Sequence, residues 1–381
     1  HEEQLSFLPL CHILERSVSV MIPLKTGAVV NFAESIDTVP ENIREVSPTV
    51  FIAVPRIWEK FYSSITILMK DATFIGKFFY QFSINVGFKY KEYFIDGKEP
   101  PLSLKLSYWI CNQLVLKNIK KLLGLNNCRY ALSGAAPISP DLINWYLSLG
   151  IDMREGWGMT ETAGVGTAFY SREIKLGHVG RAVNESEVRI AQDGEILFRG
   201  PGVFCGYLNK PEQTKETLID GWLHTGDVGE IDNYGNLKIT DRKKDIIITA
   251  GGKNISPSEI ENELKFSPFI SDAVVIGDKR KFLSCLIMID EENVMKHAQD
   301  NDIPFSNFES LCKSEEIVSL IDDEVNKVNK KFASVEQVKK FSLIDIQLTA
   351  EDDELTPTMK LKRKFINQKY GDIIESMYQS A

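Results

Sequence analysis

Short apolar runs separated by turn residues open the chain. The runs at 18–24, 28–32 and 50–54 each read as a strand in an α/β layer, and residues 5–14 have the texture of a domain interior. From 58 to 123 the pattern changes to aromatic and apolar positions interleaved with lysine. No proline interrupts it before Pro100, which predicts long helices. The longest apolar run, 106–116, is about half of the roughly 20 residues that a bilayer-spanning helix needs, so it predicts a buried helix. Residues 124–182 read as strand and loop with glycine clusters, and 183–240 as all-β. There, 188–191, the turn Asp193-Gly194 and 195–198 form a hairpin pattern, and a turn at 233–235 precedes a strand at 236–240.

The charged stretch 241–245 punctuates the chain and predicts a domain boundary. Beyond it the pattern is that of a small α+β unit. Ser256 as N-cap, Pro257 in the first turn and Glu259 reaching back predict a capped helix. Strands are expected at 273–276, 283–289 and 341–346. A helix should carry Ile317, Leu320, Ile321, Val325 and Val328 on one face. The expected organisation is thus a large domain over 1–240, a hinge at 241–245 and a small C-terminal domain over 246–381.

Composition narrows the function classes. A chain of 381 residues exceeds one ordinary core. Its net charge of -9 argues against general nucleic-acid binding. The six cysteines form no C-x-x-C pair, which reads as a reduced, cytoplasmic protein whose cysteines serve as small buried hydrophobes. The basic, aromatic-rich stretch 58–123 has two readings: a peripheral contact with an anionic membrane surface, or a helical packing layer with solvated lysines.

The richest chemistry lies in Gly156-Trp157-Gly158-Met159-Thr160-Glu161-Thr162. An aromatic face can stack a purine, glycines let backbone approach a ligand, and a hydroxyl can bond a phosphate oxygen. A carboxylate can hold Mg²⁺, which takes oxygen ligands. Alone, the same residues would equally describe a helix start with Trp157 in the core. They are not alone. Ser133-Gly134-Ala135-Ala136-Pro137 lies upstream. Downstream come Gly221-Trp222-Leu223-His224-Thr225-Gly226-Asp227, Asp241-Arg242-Lys243-Lys244-Asp245, Gly251-Gly252-Lys253-Asn254-Ile255 and Leu355-Thr356-Pro357-Thr358-Met359-Lys360-Leu361-Lys362-Arg363.

This ordered set resembles the adenylate-forming superfamily of acyl-CoA synthetases, adenylation domains and luciferases. Val54-Pro55-Arg56-Ile57-Trp58-Glu59-Lys60, the D-R-K-K-D form and the T-P-T-M-K-L-K-R ending are similar to long-chain fatty acyl-CoA synthetases. The resemblance implies an α/β large domain with mixed sheets and a distorted β-barrel subdomain, followed by a small mobile C-terminal α+β domain. It implies ATP, coenzyme A and a fatty acid as substrates, with Mg²⁺. Gly134, Ala135 and Ala136 would line an adenine pocket, Trp157 would stack on the adenine, and Gly158 and Met159 would lie beside it. Thr160 would bond phosphate and Glu161 hold the metal. Asp227 would accept from the ribose hydroxyls, with Arg242 a second ribose and phosphate contact. Lys244 would be the hinge, and Gly251, Gly252 and Lys253 would meet the pantetheine arm. Lys360 would reach the α-phosphate, and His12 would sit near the acyl group. The family's glycine- and threonine-rich phosphate loop ending in P-K-G is absent here, so a fragment of a longer enzyme is expected. The alternatives are an enzyme loading a carrier protein and a non-catalytic nucleotide-binding remnant.

Overall fold

The computed structural model describes residues 2–36, 38–170, 174–346 and 362–379. The chain divides into two compact units, His1–Ile239 and Thr240–Ala381.

In the first unit, β1 (Glu3–Ser6) is followed by α1 (Ile13–Arg16), a π-helical turn at Ser17–Met21 and α2 (Ile22–Thr26). β2 (Val29–Phe32) then pairs with β1 in parallel. The strand expected at 18–24 is therefore helical. A buried polar cluster decides this. The Gln4 amide on β1 donates to Val18 O at 2.7 Å and to Ser19 Oγ at 3.2 Å, and the Ser19 hydroxyl donates to Glu15 one turn back. Local β-branched residues cannot encode that arrangement.

Next come α3 (Val39–Val46), β3 (Val50–Ala53) and the predicted helical stretch: α4 (Pro55–Lys70), α5 (Phe74–Ile95), α6 (Leu102–Cys111) and α7 (Lys117–Leu122). Pro55 occupies the first turn of α4, where its missing N–H costs nothing, and Ile57, Trp58, Phe61 and Ile65 form the buried stripe. The run at 106–116 is helical but only partly buried, with Cys111 and Leu116 in the core. Leu106, Trp109, Ile110 and Leu114 face solvent. β4 (Tyr130–Ser133), α8 (Pro140–Ser148) and β5 (Met153–Glu155) complete a parallel sheet in the order β3-β4-β5. The glycine-marked region thus contains a helix not expected from its pattern. Ser139 caps it, and Tyr146 docks it on α4 by donating to Trp58 O at 2.7 Å. The three strands end at Ala53, Ser133 and Glu155 on one edge, the edge where α/β sheets bind ligands.

β6 (Thr167–Ala168) and β7 (Arg181–Ala182) form a small antiparallel pair. A five-stranded sheet follows, built from β8 (Glu187–Ile190), β9 (Glu195–Arg199), β10 (Leu218–Ile219), which follows α9 (Pro211–Thr217), β11 (Trp222–Ile231) and β12 (Leu237–Arg242). The β8–β9 hairpin turns at Gly194 (φ 85°), as the Asp-Gly pair predicts. The expected barrel is not closed among the described residues. The strand order is β10-β11-β9-β8 with β12 also on β11, and no pairing joins β8 back to the far edge, which closure requires.

The second unit begins with the hairpin of β13 (Ile247–Ile248) and β14 (Asn254–Ile255), then α10 (Pro257–Lys265). β15 (Ile270–Ile276) and β16 (Leu283–Ile289) pair antiparallel. After α11 (Glu291–Asp300), α12 (Phe308–Lys313) and α13 (Glu315–Asn329), β17 (Val338–Leu343) joins β16 in parallel, starting three residues before the predicted strand. α14 (Arg363–Lys369) and α15 (Gly371–Gln379) end the chain's described part. All of β16 is buried because helices cover both faces of the sheet. Leu283, Cys285, Ile287 and Ile289 pack with α10 and α13 on one face. Leu286 and Met288 pack with Ile366, Tyr370, Ile374 and Met377 on the other. The predicted face of α13 is observed, with Ile317, Ile321, Val325 and Val328 buried.

Ser256 stands at the N-cap of α10, but the predicted capping box does not form. The buried Asp241 replaces it: Asp241 Oδ2 accepts from the Ser258 N–H at 3.0 Å and from the Ser256 hydroxyl at 2.7 Å. All six cysteines are free. Cys111, Cys285 and Cys312 are buried as expected, whereas Cys11 and Cys205 are exposed.

Candidate functional site

The carboxyl edge of the parallel sheet assembles the first group of predicted residues. Gly134, Ala135 and Ala136 follow β4 directly, and Gly156 and Trp157 follow β5. The two turns are locked together: the Gly156 N–H donates to Ser133 O at 3.1 Å, and a Cβ placed on Gly134 would lie 3.6 Å from Gly156 O. Ala135 sits at φ 69°, a left-handed conformation that a non-glycine residue holds only under strain.

Trp157 is only 7% exposed and packs with Val179, Ile196, Phe198, Leu223 and Leu237. Its indole lies against Gly166, where a Cβ would come within 2.6 Å of the ring. Trp157 Nε1 donates to Asp227 Oδ2 at 2.8 Å across 70 residues of sequence. The structure therefore gives this tryptophan the core placement: the ring is packed, and its polar edge meets the carboxylate of Asp227. Gly158 is required by close approach, since a Cβ there would sit 2.3 Å from Gly164 O.

Thr160–Thr162 forms a single 3₁₀ turn with Thr160 exposed and Glu161 half-buried. Met159 precedes that turn, its N–H donating to Thr162 Oγ1 at 3.0 Å. Tyr207, which sequence reasoning missed, donates its hydroxyl to Glu161 Oε1 at 2.7 Å. Burial, then the Glu161 carboxylate, pushes the Tyr207 phenol above its ordinary range and keeps it a donor. Their separation by 46 residues leaves no local signal.

Two further polar groups line the same strand ends. Ser133 Oγ is buried without a hydrogen-bond partner among the described residues, and Glu155 stands opposite it in register. Burial alone pushes the Glu155 carboxyl up to about 8. The strand it ends reads Met153-Arg154-Glu155, and that pattern gives no sign that the acid is buried.

His12 stands at the start of α1. It caps α1, its Nδ1 accepting from the Leu14 N–H at 3.3 Å, which is the helix-start role. Ile13 and Ser17, on the helix it starts, lie beside Gly164 in the loop after the 3₁₀ turn.

In the second unit, Arg242 is exposed at the end of β12, and Lys244 is exposed in a turn closed by the Asp245 N–H donating to Arg242 O at 2.9 Å. Gly251, Gly252 (φ 77°) and Lys253 form the exposed tip between β13 and β14, with Lys253 Nζ 3.1 Å from Glu336 Oε1. Lys360 lies outside the described residues. Three positions on, Arg363 makes a two-point ion pair with Glu261 at 2.7 and 2.8 Å and also donates to Val275 O at 2.9 Å.

Comparison with known proteins places the chain in a family. The family model for AMP-binding enzymes matches residues 1–208, and the model for the AMP-binding enzyme C-terminal domain matches 244–381. The chain is 36% identical over 379 residues to the long-chain-fatty-acid–CoA ligase FadD15 of Mycobacterium tuberculosis, covering 99% of this chain and 62% of that protein. It is 33% identical over 407 residues to the human long-chain-fatty-acid–CoA ligase ACSBG2, covering 99% and 60%. The chain thus spans about three-fifths of the length of these curated relatives. Among solved structures, the adenylation domain of a carboxylate reductase from Mycobacterium chelonae superposes with a TM-score of 0.71 at 22% identity, covering 99% of this chain and 54% of that one. The O-succinylbenzoate coenzyme A synthetase of Bacillus subtilis, in complex with ATP and magnesium, gives 0.60 at 22%, covering 95% and 61%. At that identity the likeness establishes the shared fold.

Proposed function

We propose that this chain, which belongs to the AMP-binding enzyme family, works within a cytoplasmic long-chain fatty acid–CoA ligase. The observation that carries the reading is convergence. Segments 134–136, 156–161 and 225–227 are far apart in sequence, yet they meet at one strand edge, linked by the 2.8 Å Trp157–Asp227 hydrogen bond.

In this reading the 134–136 turn and Trp157–Met159 enclose the adenine, and Asp227, with Arg242, takes the ribose hydroxyls. The exposed Thr160 hydroxyl bonds a phosphate oxygen. Glu161 suits Mg²⁺ because that ion takes one or two carboxylates beside water and phosphate, and the Tyr207 hydroxyl holds Glu161 by one oxygen only. No group of three or more His, Cys, Asp or Glu among the described residues offers a competing metal cage. When bound with the triphosphate, the ion would offset phosphate charge. A fatty carboxylate then attacks the α-phosphate, with His12 near the acyl group and the Lys360 ammonium countering the charge that builds there. Pyrophosphate leaves. The coenzyme A thiol next attacks the acyl-adenylate carbonyl, the acyl–phosphate bond breaks and AMP leaves with release of the thiol proton, assisted by Gly251, Gly252 and Lys253 in place of Lys360, the chain turning at Lys244.

The test measures the two half-reactions apart in the full-length protein. Long-chain fatty acids should support ATP-dependent pyrophosphate release and coenzyme A thioester formation. A preference for acetate or aromatic acids sinks the substrate class, and thioester formation only on a carrier protein sinks the acceptor. Lys360→Ala should slow adenylation roughly a hundred- to a thousandfold while sparing thioester formation from supplied acyl-adenylate.

The reading extends to a peripheral contact with an anionic membrane surface. No helix among the described residues is long and apolar enough to cross a membrane. The neighbouring helices α5 and α6, joined by stacked Tyr90 and Tyr108 rings 4.1 Å apart, nevertheless turn Phe74, Phe78, Phe82, Leu102, Leu106 and Trp109 to solvent. Eight lysines against three acids over 74–121 supply the complementary charge. The protein should co-sediment with phosphatidylserine-containing vesicles more than with neutral ones, and Phe78→Ser with Trp109→Ser should abolish the difference. Equal sedimentation with both vesicle types removes this partner.

A further inference from the structure

β9 and β11 pair in register at Leu223↔Phe198 and His224↔Leu197, and again at Val228↔Glu195. Between these pairs Thr225, Gly226 and Asp227 stand opposite the single residue Ile196. This is a bulge, the device that re-aims a side chain beside a site. A bulge leaves backbone N–H groups without their ladder partners, and buried ones need substitutes.

Glu195 supplies the substitute. It is 7% exposed. Its Oε1 accepts from the Gly226 N–H at 2.9 Å, and its Oε2 lies 3.3 Å from His224 Nδ1. Thr225 anchors the start of the bulge by donating to Ile196 O at 2.6 Å, and its hydroxyl accepts from the Asp227 N–H at 3.2 Å. Gly226 turns through φ 71° between them. Within the bulge Asp227 holds its carboxylate on Trp157 Nε1.

We infer that Glu195 is a positioning residue of the nucleotide site: by holding the Gly226 N–H it fixes the bulge that aims Asp227. Glu195 touches no ligand in this account and acts only through the backbone. The inference rests on the proposed role of Asp227 in taking the ribose. It adds a requirement of its own, for an acceptor at the side chain of residue 195 in place of a ladder carbonyl. The requirement is specific in chemistry and length. A glutamine keeps a carbonyl oxygen at the Oε1 position, whereas an aspartate, one methylene shorter, falls short of Gly226.

The test is AMP affinity by calorimetry, with ATP kinetics in the full-length protein. Glu195→Ala and Glu195→Asp should weaken AMP binding roughly ten- to a hundredfold and raise KM for ATP more than they lower kcat. Glu195→Gln should stay within about threefold of wild type. His224→Ala, which removes only the second arm, should do the same. Thermal unfolding run alongside identifies a variant that does not fold, and Asp then stands in for Ala. AMP affinity unchanged in both Glu195→Ala and Glu195→Asp overturns the inference, as does a Gln variant as weak as the Ala variant. Asp227→Ala measured in parallel separates the two claims. If it loses AMP while Glu195→Ala keeps it, only the positioning role falls. If Asp227→Ala binds as wild type, the ribose reading falls first.

Discussion

Replacing Glu155 with Gln should change the pH dependence of the first unit's stability in a calculable way. Burial raises the folded carboxyl to about 8 from an ordinary 4.5, with no charged or hydrogen-bonding group contributing. A raised folded value means that the folded state holds the proton more tightly than the unfolded one. The associated stability is therefore complete below pH 4.5, falls as pH rises, and is fully lost above pH 8. A full-slope unit of pH is worth about 1.4 kcal/mol; the slope eases near both ends of the window, so between pH 5 and 8 the loss is on the order of 3.5 kcal/mol. For a unit of this size that is about 7–14 °C in Tm. Glu155→Gln removes the titration while keeping the shape. The difference between wild type and variant should therefore grow by that amount over the window, in favour of the variant at high pH. Tryptophan fluorescence is the right probe, because Trp58, Trp109, Trp145, Trp157 and Trp222 all lie in the first unit. Parallel curves for the two proteins from pH 5 to 8 would refute the claim that Glu155 is buried and protonated.

Three other outcomes follow from the geometry. Gly166→Ala drives a methyl to within 2.6 Å of the Trp157 ring, so it should cost about 1–3 kcal/mol and shift tryptophan emission; an unchanged melt and spectrum would contradict the packing. Arg363→Met leaves Glu261 buried without its partner and should destabilise the second unit by about 3–5 kcal/mol, seen by circular dichroism with the tryptophan-detected transition unmoved. Lys244→Pro places a ring where the turn needs freedom, so thioester formation should stall while adenylation persists, and equal damage to both steps would leave Lys244 an ordinary solvated lysine.

Much of the architecture was legible because it is written in local periodicity. The seven-residue strand β16 matches its apolar run end to end, the β8–β9 hairpin turns on its Asp-Gly pair, and α13 buries the face its 3.6-residue spacing marks. The large helices follow from an uninterrupted helical pattern. Errors came where a distant partner overrode the local signal. Residues 18–24 are β-branched and apolar, yet the Gln4 amide and the Glu15 carboxylate hold them in helix. The α10 cap reads as Ser256 with Glu259, yet Asp241 occupies that role. The run at 106–116 is apolar enough for a core but lies on a surface helix, because hydropathy states what a side chain prefers and not what covers it.

The site divides along the same line. Motif order alone named Trp157, Glu161 and Asp227 as residues of one chemistry. Sequence could not say that Trp157 packs in the core with its N–H on Asp227, since that follows from Gly166 admitting the ring and from the bulge at 225–227 bringing Asp227 to its N–H. Tyr207, Glu155 and Glu195 stayed invisible for one reason. Each acts through a contact or a burial supplied by segments remote in the chain, and only the packed sheet edge brings those segments within hydrogen-bond distance or excludes water from them.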